Sequence, residues 1–124
     1  MLSHIVVFWL KEDLSEAERS AFRQGLESLK AIQSARSVYV GAPAQTGDRP
    51  VIDKSYSLAL TVLFDSIQDH DAYQVDPLHQ AFLGQFGPFF MTTNDDISGQ
   101  APYRIMPGIP LDLMVVFTGR DPNR

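Results

Sequence analysis

The dipeptide Asp76-Pro77 cuts a helical stretch in two and so constrains the second half of this chain more than any other feature. Proline lacks an N–H and its ring collides with the preceding turn, so Pro77 cannot sit mid-helix. It suits a first helical position with Asp76 as N-cap. His79 then falls in the first turn of a new helix, where unpaired N–H groups make a partial positive charge. That field disfavours imidazolium and is expected to hold His79 neutral, ready to accept a proton. Tyr73 lies shortly before the corner, near the end of the helical region that Ser66 and Asp69 begin. A phenol and a neutral imidazole brought together there would make an acid–base pair.

Upstream the pattern alternates. His4 to Leu10 is β-branched and aromatic and reads as a strand, with His4, Val6, Phe8 and Leu10 on one face and Ile5, Val7 and Trp9 on the other. Both faces are apolar, so both should be covered. Ser15-Glu-Ala-Glu18 is a capping box, and Ala21, Phe22, Leu26, Leu29 and Ile32 continue at helical spacing. Ser37 to Gly41 is a short strand, residues 42–54 form a long Pro- and Gly-containing loop, and Tyr56 to Phe64 is a third strand. Beyond Gly87-Pro88 the strongest strand pattern is Leu113 to Phe117, with Phe89 to Thr93 as a competitor.

The resulting order, β-α-β-β-α-β, predicts an α+β, ferredoxin-like fold with an antiparallel sheet and both helices on one face. The other face stays apolar, which calls for a partner; a homodimer stacking two sheets face to face would bury it.

Composition narrows the function. The 124 residues read as a single domain, 1–124, that can bury roughly two-thirds of its unfolded surface. The net charge of −5 comes from the second half, and no Lys or Arg occurs between Lys54 and Arg104. No basic stripe with interleaved aromatics is present, so a nucleic-acid partner is not expected. With no GxGxxG and no P-loop, no phosphate-rich cofactor is expected. No apolar run reaches the ~20 residues of a membrane helix, and the chain opens into a strand pattern rather than a signal peptide. The absence of cysteine rules out thiol chemistry and fits a cytoplasmic location. His70, between Asp69 and Asp71, does not point with them at one ion, so no metal is expected and His70 reads as part of a solvated acidic face.

Four segments carry a family likeness: Ser3-His4-Ile-Val-Val-Phe, the capped helix after it, Leu63-Phe64-Asp65, and Tyr73-Gln-Val-Asp-Pro-Leu-His79-Gln-Ala-Phe82. Together they resemble the stress-responsive α/β-barrel (Dabb) family over roughly residues 1–90. Residues 91–124 are atypical, because the family's last strand normally follows the second helix closely. The resemblance implies a dimeric α/β barrel and a cavity between sheet and helices. In a plant polyketide cyclase of this family, the catalytic tyrosine and histidine match Tyr73 and His79, and a first-strand histidine matches His4. Its third-strand histidine has no counterpart, since Leu58 falls at about that position, so the same cyclisation is not implied.

Two readings stand. In one, His79 is a general base and Tyr73 orients it or stabilises an oxyanion, for cofactor-free aldol-type cyclisation, isomerisation or lyase chemistry on a small hydrophobic carbonyl compound. His4, Phe8, Leu58 and Phe82 would line its pocket. In the other, the protein is a non-catalytic, stress-associated binding or structural oligomer. There Tyr73→Phe and His79→Ala would each cost ~1 kcal/mol or more in lost hydrogen bonds and change no activity.

Overall fold

The structure is a computed structural model and describes residues 1–90, 103–104 and 112–118, the last two stretches as strand backbone. Strand β1 (Leu2–Phe8) leads to helix α1 (Glu16–Ser28), strands β2 (Ser37–Gly41) and β3 (Leu58–Phe64), helices α2 (Ile67–Gln74) and α3 (Pro77–Phe86), and strands β4 (Tyr103–Arg104) and β5 (Asp112–Thr118). The sheet order is β2-β3-β1-β5-β4. β3 pairs antiparallel with both β1 and β2, so the strand after the first helix reaches β1 only through β3. This is the ferredoxin-like α+β arrangement.

The last long strand departs from an all-antiparallel sheet. β5 runs parallel to β1, with Leu2 beside Asp112 and Phe8 beside Thr118. A chain leaving α3 directly meets β1 antiparallel, as the Leu10–Phe90 bridge and the Lys11 N–H to Phe89 carbonyl bond show. Parallel pairing needs a crossover of a dozen or more residues, and positions 91–111 supply that length. Of the two competing strand segments, 113–117 lies within β5. Phe90 makes an isolated bridge, and residues 91–93 lie outside the described residues.

Local chemistry accounts for the helices. Ser15 Oγ accepts from Glu18 N–H while Glu18 Oε1 accepts from Ser15 N–H, closing the capping box. Ser66 caps α2 in the same way through Asp69 N–H. At the corner, Asp76 sits in an extended conformation and accepts from Leu78 N–H at 2.8 Å, with Pro77 opening α3.

All three helices cover one face of the sheet. Leu2, His4, Val6 and Phe8 point into the core from β1, with Leu10 just beyond it, and Leu58, Leu60, Val62 and Phe64 from β3. At one end Phe22 lies fully buried among Phe8, Phe82, Phe86 and Phe90, with ring centroids 5.1 to 6.0 Å away. Gly25 lets α1 approach α3 closely, since a Cβ there would lie 2.9 Å from Phe86 Cδ2 and closer still to Cε2. On the opposite face Ile5, Val7, Ala59, Thr61 and Leu63 are half-buried and Tyr39 is exposed. Trp9 is covered there by the end of the 42–57 loop, its indole N–H donating to Ser55 Oγ at 3.0 Å.

Candidate functional site

α2 is short, and His70, Tyr73 and Gln74 share one of its faces by their spacing of three and four residues. That face is turned towards β1 and α3. Beyond the corner the first turn of α3 brings His79 back over Tyr73, with 4.6 Å between ring centroids. His4, from the middle of β1, completes the group. Its ring lies 6.0 Å from Tyr73 and 5.3 Å from His70, and Phe64 packs edge-on against all three at 5.1 to 6.3 Å.

Between this group and the Phe22 cluster is a cavity of about 220 Å³. Its polar lining comes from His4, Tyr73, Gln74 and His79. The apolar walls include Val6, Phe8, Leu60 and Phe82, with Leu29 and Phe90 beyond them, and Leu83 is exposed at its edge. Among the described residues no Lys, Arg, Asp or Glu lines it.

The hydrogen bonds define the chemistry available. His79 Nδ1 faces the Gln74 carbonyl at 3.2 Å. A carbonyl can only accept, so Nδ1 carries the hydrogen and Nε2 holds the free lone pair. That carbonyl is the last of α2 and needs acceptor work; it also receives Gln80 Nε2–H at 2.8 Å. His79 is shifted below the ordinary histidine value, first by burial. The Gln74 bond and the Asp76 charge push the other way. The sequence pattern attributed its neutrality to the helix N-terminus, but removal from water is the leading cause.

Tyr73 is fully buried, and its hydroxyl has no hydrogen-bond partner among the described residues. Burial pushes its ionisation well above the usual phenol value, so it remains a neutral donor. His4 is held down to about 4 by burial, with the charges of His70 and His79 adding to the effect. Its Nδ1 is also buried, with no hydrogen-bond partner among the described residues. Orphaned buried polar atoms are rare in native proteins and call for an explanation such as a ligand or an ordered water.

Of the residues singled out from sequence, His4, Phe8, Tyr73, His79 and Phe82 meet at this cavity. Leu58 does not. It opens β3, one inward position before Leu60, and lies in a shallow groove with Arg19, Arg23 and Ser57, while Leu60 takes the place at the cavity. His70 is a correction. Expected on a solvated face, it is buried, because three residues before Tyr73 it must share the inward side of α2. Gln74 was missed altogether, although its spacing from His70 is a readable signal. Among the described residues no group of three or more His, Cys, Asp or Glu could hold a metal ion, and no helix is long and apolar enough to cross a membrane.

An open sheet of ferredoxin-like order, with helices on one face and a cavity between the layers, defines the class of protein. The chain belongs to the Dabb family, the stress responsive A/B barrel domain, whose sequence profile matches residues 2–94. Solved structures agree on the fold. A Dabb family protein with a ferredoxin-like fold from Mesorhizobium loti is 24% identical, covering 71% of this chain and 84% of that one, with a TM-score of 0.58. A dimeric protein of unknown function and ferredoxin-like fold from Bacteroides fragilis is 25% identical, covering 73% and 86%, with a TM-score of 0.56. A hydroxynitrile lyase from Passiflora edulis is 22% identical, covering 71% and 82%, with a TM-score of 0.58. No match is found among curated protein sequences.

Proposed function

We propose that this protein is a homodimer in which each protomer binds a small uncharged carbonyl compound between sheet and helices, and that His79 removes a proton next to the carbonyl group. The observation that carries the reading is the tautomer of His79. The Gln74 carbonyl holds its Nδ1–H, burial keeps the ring neutral, and Nε2 is left as the base at an apolar cavity. Tyr73 supports the His79 ring, and its unpartnered hydroxyl is a donor for the oxyanion that develops. His4, Phe8 and Phe82 hold the ligand.

Size and charge limit the ligand. A cavity of roughly 150 Å³ accepts benzene, so about 220 Å³ suits one substituted ring or a short branched chain. A carboxylate or phosphate entering this lining would lose its water and find no cation among the described residues to pair with. A lyase among proteins of this fold is consistent with such chemistry, though it says nothing of this chain's substrate.

The dimer rests on the half-buried row Ile5, Val7, Ala59, Thr61 and Leu63 and on exposed Tyr39, opposite the helices. Stacking two such faces would form the barrel, and dimeric neighbours of the same fold support it.

The test is exchange of the α-hydrogens of cyclohexanone in D₂O, followed by NMR with protein present. Exchange that is accelerated by the wild type and returns to the buffer rate with His79→Ala is the expected result. Equal rates with wild type and variant would remove His79 as the base. Saturable binding of the ketone without exchange would leave the non-catalytic binding module, which the enclosure of the Tyr73 hydroxyl favours.

A further inference from the structure

His70 and Gln74 are not members of the acid–base pair, yet they are bonded to one another beside it. His70 Nδ1 faces Asp71 Oδ1 at 3.2 Å, and His70 Nε2 faces Gln74 Nε2 at 3.1 Å. A carboxylate only accepts, so in the neutral ring Nδ1 carries the hydrogen and Nε2 is the acceptor. The atom opposite Nε2 must then be an amide nitrogen, which settles which way the Gln74 amide is turned. Its oxygen is left over. That oxygen has no hydrogen-bond partner among the described residues and is not sealed from solvent, while Gln74 itself lines the cavity.

Two residues that line the cavity, His79 and Gln74, thus each keep a neutral acceptor, Nε2 and Oε1, with no hydrogen-bond partner among the described residues. If His79 Nε2 is the base that meets the reacting C–H, Gln74 Oε1 remains for a second group on the ligand. A ligand that cannot donate would strip water from this amide oxygen without replacing it. Selectivity built on such an unpaired group discriminates far better than apolar contact does.

We propose that Gln74 sets ligand specificity, its amide pinned through nitrogen by His70 so that its oxygen selects an uncharged carbonyl compound that also carries a hydroxyl group. This rests on the reading of the cavity as a carbonyl-compound site and adds to it a residue and a functional group. Asp71 and His70 act at a distance as positioning residues; Gln74 touches the ligand.

Binding of acetophenone, its three hydroxy isomers and 3-methoxyacetophenone to the full-length protein, by titration calorimetry and NMR shift perturbation, tests this without a variant. At least one hydroxy isomer is expected to bind about fivefold or more tighter than acetophenone, the worth of one hydrogen bond. The methoxy compound, which has no hydrogen to give, should show no gain. Gln74→Met is expected to erase the preference, so that acetophenone and its hydroxy isomers bind alike. His70→Phe, which keeps a ring but removes Nε2, is expected to weaken the preference. Equal binding of acetophenone and every hydroxy isomer would overturn the role of Gln74 and leave the cavity reading standing. A preference that survives Gln74→Met would also overturn it. If none of the probes binds, both fall.

Discussion

The imidazole of His79 lies against the ring of Tyr73, 4.6 Å between centroids and 41° between planes, although the Asp76-Pro77 corner separates them in the chain. The contact exists because α2 ends on the residue after Tyr73 and α3 restarts at once, folding its first turn back over the last turn of α2. The same reversal places the Gln74 carbonyl under His79 Nδ1. One bend thus sets the ring's position, its tautomer and its burial.

Tyr73→Phe separates stability from function. The hydroxyl is buried without a partner among the described residues, and an unmet buried donor costs about 1–3 kcal/mol. In the absence of ligand the variant is therefore expected to be as stable as the wild type or about 1 kcal/mol more stable, opposite in sign to the loss expected from sequence. Urea unfolding gives the sign, and ketone exchange should fall in the same variant. Marked destabilisation would mean that the hydroxyl has a partner in solution.

Acid should loosen the fold through His4. Its folded value is about 4 against an ordinary 6.5, so the unfolded chain binds the proton first as pH falls. Stability is complete above about pH 6.5 and is lost towards about pH 4, by roughly 1.4 kcal/mol per pH unit. His79 is shifted in the same direction and adds to the loss. Urea midpoints of wild type and His4→Leu at about pH 7.5 and about pH 4.5 check this. The variant should lose less stability on acidification, and parallel losses would show that His4 is not a buried neutral imidazole.

Gly25→Ala tests how tightly α1 and α3 are packed. Alanine favours a helix by about 1 kcal/mol over glycine, but its Cβ would overlap the Phe86 ring. That ring is held by Phe22, Phe82 and Phe89, and forcing extra atoms into a packed core costs about 1–3 kcal/mol. A net loss is expected by urea unfolding, recovered in part by adding Phe86→Leu. Net stabilisation would mean that the two helices separate at little cost.

The sheet face predicts its own disruption. Sedimentation at micromolar concentration should give twice the 13.8 kDa protomer mass. Ile5→Glu or Leu63→Glu, on the half-buried face away from the cavity, should give protomers. A wild-type protein that sediments as a single protomer would remove the barrel dimer.

What the sequence determined by itself was local. Proline and N-cap chemistry placed the 76–77 corner, a capping box began α1, and period-two alternation sorted the side chains of β1 into two faces. None of these needs knowledge of distant residues. Tertiary structure decided the rest. Whether His70 faced water or His4 depended on which side of α2 met the sheet, and flanking aspartates misled because only neighbouring charge, not facing direction, is visible in a string. Leu58 and Leu60 share one row of β3, and only the placement of α2 and α3 over that row decides which of them reaches the cavity. Parallel pairing of β5 with β1 is likewise non-local, since strand direction follows from the route between elements rather than from side-chain pattern. The neutral histidine was foreseen, but its main cause, removal from water, comes into being only when sheet and helices close around it.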